Sequence, residues 1–224
     1  MAIAWDKYWS RVNLGAEFSW KIPEKARKQL AEITNTPANL FDGTPTEVNL
    51  RLRQFIGPRL HDDEIKDRLC NWIIWSWGGI KRNNKENFAR LIADFGDFSV
   101  PSVWKVAKKY DRERISSWSK LAAFAHPEVF AVYDAKTAAA LNCIESLSGK
   151  KRYFIPGTQI GYVDQISDLL VRDREMPWLN YEDYLEELKA AAVHAKCSLL
   201  NVEETLFANS PGICKQWQKD TSKT

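Results

Sequence analysis

The sequence predicts an all-α protein, and two observations support that prediction. Apolar residues recur at three- and four-residue steps through most of the 224-residue chain, as on the buried face of a helix, while the alternation typical of strands is nearly absent. The apolar fraction of 45% and the charged fraction of 27% are ordinary for a folded domain. We therefore expect one helical domain over residues 1–224, with a division into two lobes left open.

Capping and breaking residues mark the ends of the expected helices. Helix starts are predicted where a capping residue or proline precedes an apolar-periodic run, at Pro23, Thr46, Asp62-Asp63, Pro101-Ser102 and Asn180. Helix ends are predicted at Gly57-Pro58, Gly78-Gly79 and Ser148-Gly149. Loops are expected over residues 34–45 and 153–161, and a polar tail after Gln216.

Charge and cysteine content narrow the classes of function. The net charge of +3 does not by itself indicate nucleic acid, although the middle third of the chain is basic. On charge alone, ordinary solvated helix faces explain that distribution better. The four cysteines form no CxxC pair and are expected to be reduced, mostly buried thiols. The start of the chain does not resemble a signal peptide and the run Trp72 to Ile80 is too short to span a bilayer, so we expect a cytoplasmic protein with no membrane partner.

Several familiar catalytic signatures are missing from the sequence. The histidines His61, His126 and His194 are far apart, and none lies in an HExxH motif or in a cluster with zinc-ligand spacing. There is no GxxxxGK[ST] loop, no GxGxxG after a strand and no GxSxG turn. We therefore expect no metal site, no cofactor and no nucleotide cofactor. The sequence leaves the oligomeric state open.

The segment from Arg114 to Ile144 is the most informative part of the sequence. Its serines can cap a helix that carries Lys120 and ends at Pro127. An apolar, extended run follows over residues 129–133, and Asp134 then stands as the N-cap of a helix predicted over residues 135–147. The whole segment, residues 114–148, is predicted to form a helix-hairpin-helix-like unit.

Two residues of this segment have the chemistry of a catalytic pair. Lys120, near the positive end of its helix and beside apolar neighbours, could supply a neutral amine that attacks carbon. Asp134 could stabilise positive charge on a sugar ring or orient the attacking group. The structural alternatives remain open: Lys120 as a solvated lysine, Asp134 as a helix cap and the nearby tryptophans as core residues.

The segment resembles the helix-hairpin-helix DNA glycosylases, and in particular bacterial proteins similar to 8-oxoguanine DNA glycosylase. Ser119-Lys120 matches the position of the catalytic lysine, and Val132-Tyr133-Asp134 matches that of the aspartate. The run Trp77 to Arg82 is also similar to the smaller bacterial group. The hairpin differs from the family pattern L-P-G-V-G, because the residues before Lys120 include no glycine, so serine hydroxyls would have to replace close backbone contact with phosphate.

The resemblance implies a two-lobed helical fold and an enzyme that excises a modified base, such as 8-oxoguanine, flipped out of double-stranded DNA. Lys120 would be the Schiff-base nucleophile of a glycosylase and AP lyase, and Asp134 the stabilising or orienting carboxylate. The expected DNA contacts are Ser116, Ser117, Ser119, Lys81, Arg82 and Arg114. The residues expected to form the base pocket are Trp75, Trp77 and Trp118.

Two other functions remain compatible with the sequence. The first is a catalytically silent helical module that binds DNA, for example in defence against foreign DNA. The second is a protein-interaction module in which the tryptophan-rich helices form a groove for a partner.

Overall fold

The computed structural model describes residues 18–80, 85–146, 153–157, 160–172 and 179–221. Within these ranges the protein is helical and contains no β-strand, and an isolated parallel bridge joins Tyr153 and Leu179. The all-α prediction is therefore confirmed. No helix in the described ranges is both long enough and apolar enough to cross a membrane. The chain divides into two compact units, which are described separately below.

The central unit spans Ser19–Val132 and contains six α-helices, a 3-10 turn and a π-helix in its described part. In chain order these are α1 (Glu24–Ile33), α2 (Pro45–Ile56), the 3-10 turn (Gly57–His61), α3 (Lys66–Asn71), the π-helix (Trp72–Trp77), α4 (Lys85–Phe95), α5 (Val100–Tyr110) and α6 (Ile115–Ala125). Helix α6 lies at the centre, since it packs against α2, α5, the 3-10 turn and the π-helix. The side chains from Ser117 to Phe124 are all buried.

The C-terminal unit comprises Tyr133–Thr224 and the start of the chain, of which Phe18 is described. Its helices are α7 (Ala135–Ser146), α8 (Gly161–Arg172), α9 (Tyr181–Ala195) and α10 (Leu199–Thr221). Helix α7 packs mainly against α10, and both helices also contact α8. The buried alanines at positions 138–140 allow close approach of the α7 backbone, because their side chains are short.

Most predicted helix boundaries agree with the structure within a few residues. Helix α1 begins directly after Pro23, α2 ends at Ile56 before Gly57, and Asn180 caps α9 through a hydrogen bond from the Asp183 amide. The cap predicted at Thr46 is wrong by two residues. Thr44 caps α2 instead, because its hydroxyl and the Glu47 carboxylate form a reciprocal capping box.

Two other predictions need correction or fall outside the described part. The polar tail expected after Gln216 is wrong as far as Thr221, since α10 continues to that residue and buries Trp217. The stop predicted at Ser148-Gly149 lies outside the described residues, while α7 ends at Ser146. Residues 126–134 have no regular structure, as expected for the apolar run between the two helices, and the boundary between the units falls within them.

Candidate functional site

Lys120 is a buried lysine on the central helix of its unit. Its side chain is only 7% exposed, and its ammonium donates a hydrogen bond of 2.8 Å to the carbonyl oxygen of Ser116, one turn earlier in α6. Lysine is rarely buried to this extent without a partner. Helix α6 begins at Ile115, so Lys120 lies in the second turn and not at the helix start. The dipole effect expected from the sequence is correspondingly weak, since it falls off within the first turn.

A glycine at the end of the π-helix makes room for the Lys120 side chain. A Cβ atom added to Gly78 would lie 2.9 Å from the Lys120 Cδ, and 2.7 and 2.8 Å from the carbonyl oxygens of Ile73 and Ile74. The Gly78 amide donates to the Ile73 carbonyl over 2.8 Å, which closes the wide turn of the π-helix. The aliphatic part of the Lys120 side chain therefore packs against the backbone of Gly78, and any larger residue at position 78 would displace it.

Two of the three tryptophans expected in a base pocket lie on the π-helix. The Trp77 ring meets Phe124 edge to face at a centroid distance of 4.8 Å, and its carbonyl accepts a 3.0 Å hydrogen bond from the Trp20 indole. The Trp77 indole nitrogen is itself buried without a hydrogen-bond partner in the described part of the chain. Trp75 is half-buried, with its ring 5.4 Å from that of Phe88.

Trp118 does not fit the predicted role of a stacking surface. It is fully buried and is one of the largest buried side chains in the molecule. The reason is its place on α6, which packs against α2, α5, the 3-10 turn and the π-helix. In this structure Trp118 is a core residue, so the sequence prediction for its role is wrong.

The serines before Lys120 lie inside α6 and do not cap it. The N-cap position is Arg114, which adopts a left-handed conformation with φ of 56°. Ser117 and Ser119 are buried, which is incompatible with direct contact between their hydroxyls and DNA phosphate, whereas Ser116 is half-buried. The predicted DNA contacts at Ser117 and Ser119 are therefore wrong for this structure.

The turn before the Lys120 helix lies at residues 111–114, just ahead of the position where the hairpin is predicted. This four-residue turn joins α5 to α6, and both Asp111 and Arg114 have positive φ, at 45° and 56°. In the sequence, this turn is indicated by the polar run Asp-Arg-Glu-Arg, which separates two segments with helical apolar periodicity. Arg114 has the left-handed helical conformation, which non-glycine residues adopt at a modest cost, whereas Asp111, with φ of 45° and ψ of −114°, lies in a region that favours glycine. The absence of glycine from the sequence therefore does not prevent a turn here.

Among the predicted basic DNA contacts, only Arg114 lies within the described residues. Its guanidinium donates a 2.7 Å hydrogen bond to the Asn87 carbonyl and lies 3.5 Å from a Glu113 carboxylate oxygen, so it braces the turn against α4. Lys81 and Arg82 lie outside the described residues. Four other cations near the turn are exposed on α5 or in the turn itself: Lys105, Lys108, Lys109 and Arg112.

Asp134 belongs to the C-terminal unit, where it caps α7 as the sequence predicts. Its carboxylate accepts a 2.8 Å hydrogen bond from the Thr137 amide, and the Thr137 hydroxyl accepts a 3.1 Å hydrogen bond from the Asp134 amide. The preceding residue, Tyr133, packs against Tyr184 at a centroid distance of 4.7 Å. Burial raises the pKa of Tyr184 well above its usual value, and the nearby Glu203 carboxylate raises it further.

The structure thus groups the candidate residues into two local environments. Within the central unit, Lys120 lies with Gly78 and shares α6 with Phe124, on which Trp77 packs. Within the C-terminal unit, Asp134 is held by Thr137. Sequence reasoning missed Gly78 and Thr137 as supports of these two residues. Among the described residues, no group of three or more His, Cys, Asp or Glu side chains is placed to hold a metal ion.

Comparison with known proteins gives no relative from which a function could be transferred. No protein-family profile, curated protein sequence or solved structure matches the chain.

Proposed function

We propose that this protein is a DNA base-excision enzyme, a DNA glycosylase with AP-lyase chemistry, that acts on a flipped modified base such as 8-oxoguanine. The observation that supports the proposal best is the burial of Lys120 in the segment that resembles the glycosylases. A lysine amine attacks carbon when it is neutral, and desolvation in an apolar environment is one route by which proteins activate it. Lys120 is buried, and the residues that follow it in α6, from Leu121 to Phe124, are apolar and buried.

In the proposed reaction the Lys120 amine attacks C1′ of the flipped nucleotide. The C1′–N glycosidic bond breaks, and its electron pair leaves with the base, which takes up a proton. The attached nitrogen loses a proton, and its electron pair then forms the C1′=N bond as the C1′–O4′ bond breaks. The sugar ring opens, O4′ keeps the bonding pair and takes up a proton, and the product is an imine. Before it attacks, Lys120 must release the Ser116 carbonyl, to which its amine donates a hydrogen bond, and its buried side chain must become accessible to the nucleotide. Asp134 would stabilise the developing positive charge or orient the attacking group.

The proposed DNA surface is the turn between α5 and α6 together with the exposed cations of α5. Lys105 and Lys108 are exposed on α5, and Arg112 is exposed in the turn. Lysine and arginine contacts to phosphate release counterions, so binding through this surface would weaken as the salt concentration rises. Replacing all three by glutamine should weaken binding to every duplex alike and reduce the salt dependence, while leaving Lys120 chemistry intact.

Borohydride trapping tests the enzymatic proposal. The wild-type protein is incubated with duplexes carrying 8-oxoguanine or an abasic site, and borohydride then reduces any imine to a stable adduct. We expect a covalent adduct with the wild type and none with Lys120→Gln, while Lys25→Gln, which alters an exposed lysine on α1 outside the proposed DNA surface, still gives the adduct. Absence of a Lys120-dependent adduct on every modified duplex would remove the lyase mechanism.

The same protein samples separate the two alternative functions. Salt-sensitive DNA binding that survives Lys120→Ala, with no adduct and no strand cleavage, would identify a catalytically silent DNA-binding or defence module. Failure to shift any DNA at low salt would favour a protein-interaction module. A mobility-shift series in increasing salt distinguishes these outcomes.

A further inference from the structure

Two cysteine side chains meet in the core of the C-terminal unit. The sulfur atoms of Cys143 on α7 and Cys214 on α10 lie 3.8 Å apart, although 71 positions separate the residues in the chain. Both side chains are fully buried. The distance corresponds to contact between two thiols, and both cysteines are in the reduced form. The other two cysteines, Cys70 and Cys197, are also unbonded.

Polar contacts of Ser210 lie beside this pair at the interface between α7 and α10. The Ser210 hydroxyl, one turn before Cys214, donates a 2.8 Å hydrogen bond to the Lys136 carbonyl on α7. The Ser210 oxygen also lies 3.9 Å from the Cys214 sulfur. These contacts hold the two helices in register, so the two sulfurs face each other in the folded protein and no long-range rearrangement is needed to bring them together.

We propose that Cys143 and Cys214 are a thiol–disulfide pair, which a peroxide-class oxidant converts into a covalent link between α7 and α10. The proposal is independent of the DNA chemistry above. It requires the two sulfurs to approach from contact distance to bonding distance, about 2.05 Å. Rotation about the side-chain bonds and shifts of the two neighbouring helices would supply that movement.

The chemistry is balanced with hydrogen peroxide as the oxidant. The Cys214 thiolate attacks one peroxide oxygen and becomes a sulfenic acid, and the departing hydroxide leaves as water after it takes up a proton. The Cys143 thiol, deprotonated as it reacts, then attacks the Cys214 sulfur, forms the S–S bond and displaces a second water. Two thiols are oxidised to one disulfide, and one peroxide is reduced to two waters.

The two cysteines differ in a way that assigns these roles. The Cys143 thiol donates a hydrogen bond to the Cys214 sulfur, which lowers the pKa of Cys214. The same hydrogen bond, together with burial, raises the pKa of Cys143. Cys214 is therefore the better source of thiolate, which is the reactive form. By contrast, burial raises the pKa of Cys70, and burial also raises the pKa of the half-buried Cys197.

The test uses the full-length reduced protein and differential alkylation. The protein is treated with hydrogen peroxide, its remaining thiols are alkylated in denaturant, and it is digested after lysine, arginine and glutamate. Cleavage after Glu203 and Glu204 separates Cys197 from Cys214. We expect a peptide linked through Cys143 and Cys214, with a mass loss of two hydrogens, which disappears after treatment with dithiothreitol. Cys70 remains alkylated.

Cys197 provides the internal reference for the experiment, because it is partly exposed and has no thiol neighbour among the described residues. If Cys197 is fully oxidised while Cys143 and Cys214 both remain alkylatable, the proposal is overturned. A link to Cys70 or Cys197 instead of the expected one would overturn it as well.

A single variant tests the order of attack. In Cys143→Ser the second step cannot occur, so a sulfenic acid should accumulate at Cys214 and be trapped there by dimedone. The serine variant keeps a polar group of similar size at this position. Trapping of dimedone elsewhere but not at Cys214 would contradict its assignment as the attacking thiol. The wild-type crosslinking result does not depend on the folding of this variant.

Discussion

Gly78 and Lys120 are in direct contact, and the contact leaves no space for a side chain at position 78. A Cβ added there would lie 2.9 Å from the lysine Cδ and under 3.0 Å from two backbone carbonyl oxygens. The lysine could move its flexible stem, but the carbonyls belong to the π-helix and cannot move independently of it. A side chain at position 78 would therefore affect both the stability of the central unit and the position of the buried Lys120 amine.

Gly78→Ala should therefore destabilise the protein. The added methyl group would force the backbone of the π-helix apart and displace Lys120, and overpacking of this kind costs about 1–3 kcal/mol. Urea unfolding measures the loss in the free energy of unfolding. Unchanged stability would show that the end of the π-helix adapts to a side chain.

Gly212→Ala is the matched substitution in an open position. Gly212 lies inside α10, and a Cβ there would meet no atom within 4 Å. Alanine has a higher helix propensity than glycine, so we expect this variant to be more stable than the wild type by about 1 kcal/mol. The same urea titration checks it, and a loss of stability would indicate that the helix is distorted after Pro211.

Two substitutions at Asp134 separate its capping role from its chemical role. Asp134→Ala removes the acceptor of the Thr137 amide and should cost about 1 kcal/mol of stability, as for other N-caps. Asp134→Asn keeps a capping oxygen and should unfold close to the wild type. Under the proposed function, the asparagine variant would nevertheless lose most base-excision activity, since its side chain carries no negative charge. Full activity in a stable Asp134→Asn protein would assign Asp134 a purely structural role.

Asn142→Ala should strongly destabilise the C-terminal unit. The Asn142 amide donates to the Tyr153 carbonyl and accepts from the Tyr153 amide, both at 2.7 Å, and all these groups are buried. Truncation would leave two backbone groups without partners, at a cost of about 1–3 kcal/mol each. Asn71→Ala is the control, because its hydrogen bond to Asp67 is exposed and its loss should change the free energy of unfolding little.

Acid should remove a contribution that Asp94 makes to stability. Hydrogen bonds from Lys109 and Tyr110, both 2.6 Å, lower the pKa of Asp94 below its ordinary value of 3.8. A lowered folded-state pKa gives stability that is fully present above the ordinary pKa and is lost as the pH falls through the folded value. Asp94→Asn should therefore lose less stability than the wild type on acidification below about pH 4.

Chemical denaturation at several pH values between about 2.5 and 7, chosen to span the titration range of aspartate, compares the two proteins. Asp67→Asn serves as a control carboxylate. If the stability difference between the wild type and Asp94→Asn were constant over this range, Asp94 would not be the titrating group.

The sequence predicted the helices because the relevant interactions are local. Pro23, Asn180 and Asp134 act on amides within one turn of themselves, so their roles could be read from a short window. The cap of α2 was placed at Thr46 and not at Thr44, although both threonines precede a possible partner. Side-chain geometry, and not residue type, selects between them.

The candidate site was predictable in part. Lys120 was singled out from residue order and resemblance, but its contact with Gly78 depends on two segments that are distant in the chain. The burial of Ser117, Trp118 and Ser119 could not be foreseen either, because it arises from the elements that surround α6. The turn at residues 111–114 could not be foreseen for a related reason: two non-glycine residues, Asp111 and Arg114, adopt positive φ angles that glycine usually provides.

By itself, the sequence determined that the described chain is helical, where most of its helices begin and end, and that Asp134 caps one of them. These properties follow from periodicity and capping over three to four residues. The tertiary structure alone decided that Lys120 is buried against Gly78, that Trp118 is a core residue, and that Cys143 meets Cys214. Such contacts depend on how whole helices pack, and packing joins residues that no local pattern relates.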